Sequence, residues 1–148
     1  MNVINGIDIT GTLEIRDRKT GELVREVKNI IVNLGLAQAM ALLGNAAAEP
    51  LSRACIGTGA VGAGATDADL GAQVDFQTAT YSAIQTAVAG DTAQFVSVHT
   101  APVGGWAITE YGIKTSAGIL FNRVVFAVIN LAVGNELEFT YKVQATRV

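Results

Sequence analysis

The sequence predicts an all-β protein, an antiparallel β-sandwich or barrel with one short packed α-helix over about residues 34–43. Three observations lead there. Apolar and polar residues alternate with a period of two through most of the chain. Clusters of Gly, Asn and Asp punctuate these runs at short intervals. Outside one stretch, no segment of helical spacing separates consecutive strands, which argues against a parallel βαβ sheet. The 148 residues suit a single domain, 1–148, with its own core.

The elements follow in order. Residues 1–8 read as an extended N-terminal arm. Ile7, Ile9, Leu13 and Ile15 alternate, as do Leu23 and Val27 after the turn from Asp17 to Glu22. Gly21 falls where that turn wants a positive φ, so 12–31 reads as a charged β-hairpin whose second strand runs on to Val32. Asn33 then offers a side-chain cap, and Leu34, Leu36, Ala37, Met40, Ala41, Leu42 and Leu43 follow at helical spacing. Gly44-Asn45 ends the helix, which is too short to stand alone and is expected to pack on the sheet. Arg53 to Ile56 is a short strand, and Gly57 to Asp69 a Gly/Ala-rich loop. Val74 to Val88, Gln94 to Ala101, Trp106 to Lys114, Ile119 to Ile129 and Glu136 to Val148 complete the strands, with turns between them.

Composition narrows the function. Half of the residues are hydrophobic but only 16% are charged, against about 25% in an ordinary soluble domain. Such a surface is usually covered by partners. A net charge of −3 leaves no electrostatic footprint for nucleic acid. Cys55 is alone, so no intrachain disulfide forms, and with only His99 beside it no zinc site of usual spacing exists. Met1 to Asp8 lacks the features of a signal peptide, and no apolar run reaches the ~18 residues of a membrane span. The chain is expected to be made in a cytoplasm, away from membranes.

No residue set reads as catalytic, cofactor-binding or metal-binding. Gly57-Thr58-Gly59-Ala60-Val61-Gly62 is a literal G-x-G-x-x-G, but no crossover helix follows it. Its simpler reading is a surface loop or one packed closely against a neighbour. Asp67 and Asp69 supply too few oxygens for calcium, and Asp69 reads as a turn cap. His99 reads as an interface or satisfied core histidine, and Trp106 as a core or interface anchor. Glu110 lies among apolar neighbours and needs a partner, since an unpaired buried carboxylate is costly.

The order of the segments carries a resemblance. A hairpin with Thr20-Gly21 at its turn is followed by Asn29-Ile30-Ile31-Val32-Asn33-Leu34-Gly35-Leu36-Ala37. Then come Ile56-Gly57-Thr58-Gly59, Asp69-Leu70-Gly71, Ile108-Thr109-Glu110-Tyr111-Gly112 and Leu120-Phe121-Asn122-Arg123-Val124. In that order, across nearly the whole chain, these segments resemble a family of small structural proteins of tailed-phage virions. Similar segments open phage tail-collar fibre proteins. No repetitive shaft follows Val148, which shifts the expectation from a fibre to a capsid decoration, or cement, protein.

The resemblance implies a non-enzymatic virion protein without cofactors, forming a homotrimer that docks on the major capsid protein. The alternative is a neck, tail or baseplate component, or a tail-fibre attachment adaptor. The expected interface residues are Asn2, Val3, Ile4 and Ile7, as an arm added to a neighbour's sheet edge. To these are added Lys19 and Thr20 at the hairpin tip, with Trp106 and Glu110 as further subunit contacts.

Overall fold

The computed structural model describes residues 6–148, in the order β1 (Ile7–Asp17), β2 (Leu23–Lys28), β3 (Ile30–Ile31), α1 (Asn33–Gly44), β4 (Leu51–Gly57), β5 (Gln73–Thr78), β6 (Thr80–Ile84), β7 (Thr92–Thr100), β8 (Trp106–Thr115), β9 (Asn122–Leu131) and β10 (Glu136–Arg147). Two five-stranded antiparallel sheets form a sandwich. One has the order β2-β1-β10-β7-β6 and the other β3-β9-β8-β4-β5.

The first sheet alternates in and out as a half-buried strand should. Leu13 and Ile15 of β1 and Leu137, Phe139 and Tyr141 of β10 point inward. They meet Ile56, Ile108, Ile113, Val124 and Phe126 of the second sheet. Tyr111 stacks on Phe139 with ring centroids 5.4 Å apart. Each such side chain, fully buried, contributes roughly 1.5–3 kcal/mol.

The second sheet is covered on both faces around β8, where every residue from Glu110 to Thr115 is buried. Its outer face lies under the glycine-rich segment between β4 and β5, where Val32, Cys55, Leu70 and Leu120 make a second small core. A register shift in the β8–β9 pairing between Ile108 and Glu110 lets Ile108 and Tyr111 both face the main core. Strict alternation would send residues three apart to opposite faces.

Several expectations are corrected. The hairpin's second strand does not run on to Val32. It ends at Lys28, and β3 crosses to the other sheet to pair with β9. Asn29 makes the crossing, its side chain filling the space above Gly11 and donating to the Tyr141 hydroxyl at 2.8 Å. The run from Val74 to Val88 is two strands in different sheets, switching at Ala79. Its end is a turn held by the Asp91 carboxylate, which accepts the amides of Thr86, Ala87 and Val88. The strand expected from Ile119 begins at Asn122. Ile7 and Asp8, expected in the arm, belong to β1 and pair with Arg147 and Thr146 of β10.

The helix forms where expected and packs on the body, with Ala39 against the main core, but it is not capped as expected. Val32 occupies the cap without a side-chain hydrogen bond, while the Asn33 amide donates to the Ala65 carbonyl. Only Gly35 and Gln38 of α1 are buried. Gly35 rests on the Phe121 carbonyl, where a Cβ would overlap it, and Gln38 donates to the Glu49 carbonyl. Gly35, Gln38 and the half-buried Ala39 and Ala41 face the body, so Leu34, Leu36, Met40, Leu42 and Leu43 are left exposed.

Candidate functional site

The strongest polar arrangement is internal. Glu110 on β8 is fully buried, and Arg123 on β9 is 3% exposed. Glu110 stands opposite Val125, and Arg123 lies two residues further along β9, a diagonal cross-strand pair on the outer face of the sheet. Arg123 Nε donates to Glu110 Oε2 at 2.9 Å. The other carboxylate contacts come from the glycine-rich segment. The Gly59 and Ala72 amides donate to Oε1 at 2.9 and 2.7 Å, and the Gly71 amide to Oε2 at 2.9 Å. The rest of the guanidinium donates to Asp67 and to the Val61 carbonyl. Thr109 Oγ1 donates to the Gly59 carbonyl.

Burial pushes the Glu110 carboxyl up, but the amides of Ala72 and Gly71, the Arg123 guanidinium and the Gly59 amide outweigh it and hold the group below its ordinary range. Burial opposes charge on Arg123 as well, and there Asp67 and Glu110 prevail. The pair is ionised and, beside its own bond, satisfied by three amide donors and two acceptors, the condition under which a buried ion pair is tolerated. The glycine loop therefore cradles a carboxylate of its own chain, with amides of the kind that cradle phosphate elsewhere. Gly57 and Gly59 are needed for this approach, because a Cβ on either would press into the Glu110 carboxylate.

The short sequence motifs thus converge on one place. Ile56-Gly57-Thr58-Gly59, Asp69-Leu70-Gly71, Thr109-Glu110 and Asn122-Arg123 all meet around this ion pair. Glu110 cannot touch a partner as expected, since no part of it reaches the surface. Asp67 is taken by Arg123 and the Gly64 amide, and Asp69 by Lys114 and the Leu70 amide. The Glu110–Arg123 pairing was missed in the sequence. The signal for it was the lone acid of one strand, β8, and the lone base of the next, β9.

A second polar group ties the two sheets together. His99 on β7 is fully buried, with Nδ1 2.8 Å from Asp75 Oδ2 on β5 and Nε2 3.2 Å from Ser97 Oγ. Burial lowers its pKa, and Asp75 works against that. The connectivity is that of a hydrolytic triad. However, Ser97 is only 3% exposed on the core side of β7, so a substrate carbonyl cannot reach Oγ. The group acts as a buried strut, and His99 is the satisfied core histidine of the sequence reading.

Beside single exposed apolar residues such as Val61 and Val128, the surface groups apolar side chains in three places. At one end of the sandwich, Ile7, Met40, Leu43 and Val88 line a groove with Ala145 and Arg147. On β5 and β6, Val74, Phe76 and Tyr81 are exposed by 41–60%. At the opposite end Val103 and Val133 protrude, next to half-buried Trp106. Of the expected interface residues, Ile7 lies in the first groove and Trp106 beside the third patch, while Lys19 and Thr20 sit on the exposed hairpin turn. Asn2, Val3 and Ile4 lie outside the described residues. Among the described residues, no group of three or more His, Cys, Asp or Glu side chains is arranged to hold a metal ion, and no helix is long and apolar enough to cross a membrane.

No family model, curated protein or solved structure matches the chain.

Proposed function

We propose that this chain is a structural protein of a tailed-phage virion, a capsid decoration protein that self-associates and bridges capsomers through the major capsid protein. The observation that carries the reading is the distribution of apolar surface. Three exposed patches lie on different sides of one rigid sandwich, whereas the strongest polar chemistry is used up internally at Glu110 and Arg123. A subunit that must touch several neighbours at once needs separate faces of this kind, and each engaged site adds avidity to the next. Binding only to the assembled lattice stabilises that lattice by mass action. The order of motifs resembling small virion proteins supports the same reading. It also explains the glycine loop without a nucleotide, since the loop serves the fold.

The test is the number of copies of this chain per intact particle, measured by quantitative mass spectrometry against the major capsid protein. A ratio near one to one is expected. A few copies per hundred would move the protein to the neck or tail, as a baseplate component or fibre adaptor. Absence from purified particles would refute the virion reading.

A further inference from the structure

The helix α1 is anomalous for a surface helix. Between Asn33 and Gly44 its only polar side chains are Asn33 and Gln38, and no charged residue occurs from Asn33 to Ala48. Helices without a polar face are normally buried, yet this one buries only Gly35 and Gln38 fully and sets Ala39 against the core. Leu36, Met40 and Leu43 fall at i, i+4 and i+7, so they share one face. That face turns away from the body, with exposures of 47%, 58% and 80%. Met40 and Leu43 of that face also line a groove with Ile7, Val88 and Ala145 of the body, where Asp91 and Arg147 stand at the charged margin.

We propose that this face is the self-association surface, and that its occupant is the same helix face of a second copy of this chain. Three arguments select that occupant. At a symmetry axis a side chain meets its own copy, so a charge placed there would face a like charge. A charge-free run of this length, in a chain that does carry charge elsewhere, suits such a contact. A lipid surface does not fit, because helices that lie on membranes carry a charged, Lys/Arg-rich polar face and this stretch has no basic residue. The area also fits. Leu36, Met40, Leu43, Ile7 and Val88 together leave on the order of 300 Å² of apolar side chain exposed per copy. That is a suitable dry centre for an interface of about 800 Å² per partner. The inference deepens the proposed function and rests on it only in expecting an assembly.

The experiment is sedimentation velocity and native mass spectrometry of the full chain, beside Leu43→Glu, Met40→Glu and the control Val128→Glu. Val128 is 48% exposed and lies on β9, in the other sheet from the Ile7 and Arg147 strands that border the groove. The wild type and the control are expected to assemble. The two helix variants should dissociate about a hundredfold more readily, with unchanged circular dichroism because the replaced side chains are exposed. A monomeric wild type, a Leu43→Glu protein that assembles like the wild type, or a control that fails equally would overturn the proposal. Counting copies on particles separates the two readings. A monomer that decorates particles overturns this interface and removes self-association from the proposed function, while leaving capsid decoration standing. An α1-dependent oligomer found on no particle supports the interface and refutes the function.

Discussion

Replacing Glu110 by Gln tests whether the ion pair under the glycine loop holds the fold together. The carboxylate accepts four hydrogen bonds, two at each oxygen. Glutamine keeps the shape and one acceptor oxygen, but its amide nitrogen turns a donor toward two donors. Oriented to keep the Gly59 and Ala72 amides, it loses those of Gly71 and Arg123 Nε. Hydrogen bonds to charged groups contribute about 1.5–3 kcal/mol each, so the two together amount to about 3–6 kcal/mol. Against a total stability of about 5–15 kcal/mol this is a large fraction, and the midpoint should fall by about 10 °C. Urea unfolding followed by the fluorescence of the single tryptophan, Trp106, reads the change. Removing both charges in Glu110→Gln/Arg123→Met should cost less than the two single changes added, by at least about 1 kcal/mol. Hydrogen exchange at the Gly59, Gly71 and Ala72 amides should accelerate in Glu110→Gln before the core strands respond. A Glu110→Gln protein within about 1 kcal/mol of wild type, or strict additivity in the double variant, would refute the reasoning.

Two further outcomes are expected. Gly57→Ala places a methyl against the Glu110 carboxylate and the Ala72 carbonyl; it should destabilise by about 1–3 kcal/mol, while Gly44→Ala, which has open space around it, should not. His99 has a folded pKa below its ordinary 6.5, so the unfolded chain binds the proton more readily and stability present above about pH 6.5 is lost as pH falls through the folded value; His99→Gln should flatten this slope in melts between pH 5 and 7, and an unchanged slope would remove the assignment.

Local pattern was enough to find most elements. Period-two alternation located the strands, Gly21 marked the hairpin turn with its φ of 74°, and the change of period at Asn33 marked the helix. Alternation reports which residues share a face, but it does not say which sheet a strand joins. The pattern therefore ran unbroken through Asn29 and Ala79, where the chain passes from one sheet to the other. Likewise, Glu110 was legible as a carboxylate in need of a partner, because desolvation demands one wherever the strand lies. Which groups answer that demand was a tertiary matter. The Gly59, Gly71 and Ala72 amides come from 38 to 51 residues away, and only the packing of two β-strands beneath a loop brings them together. The helix shows the same division. Its sequence made it apolar all round, and the body it met, offering Phe121's carbonyl to Gly35, decided that the large side chains would point outward.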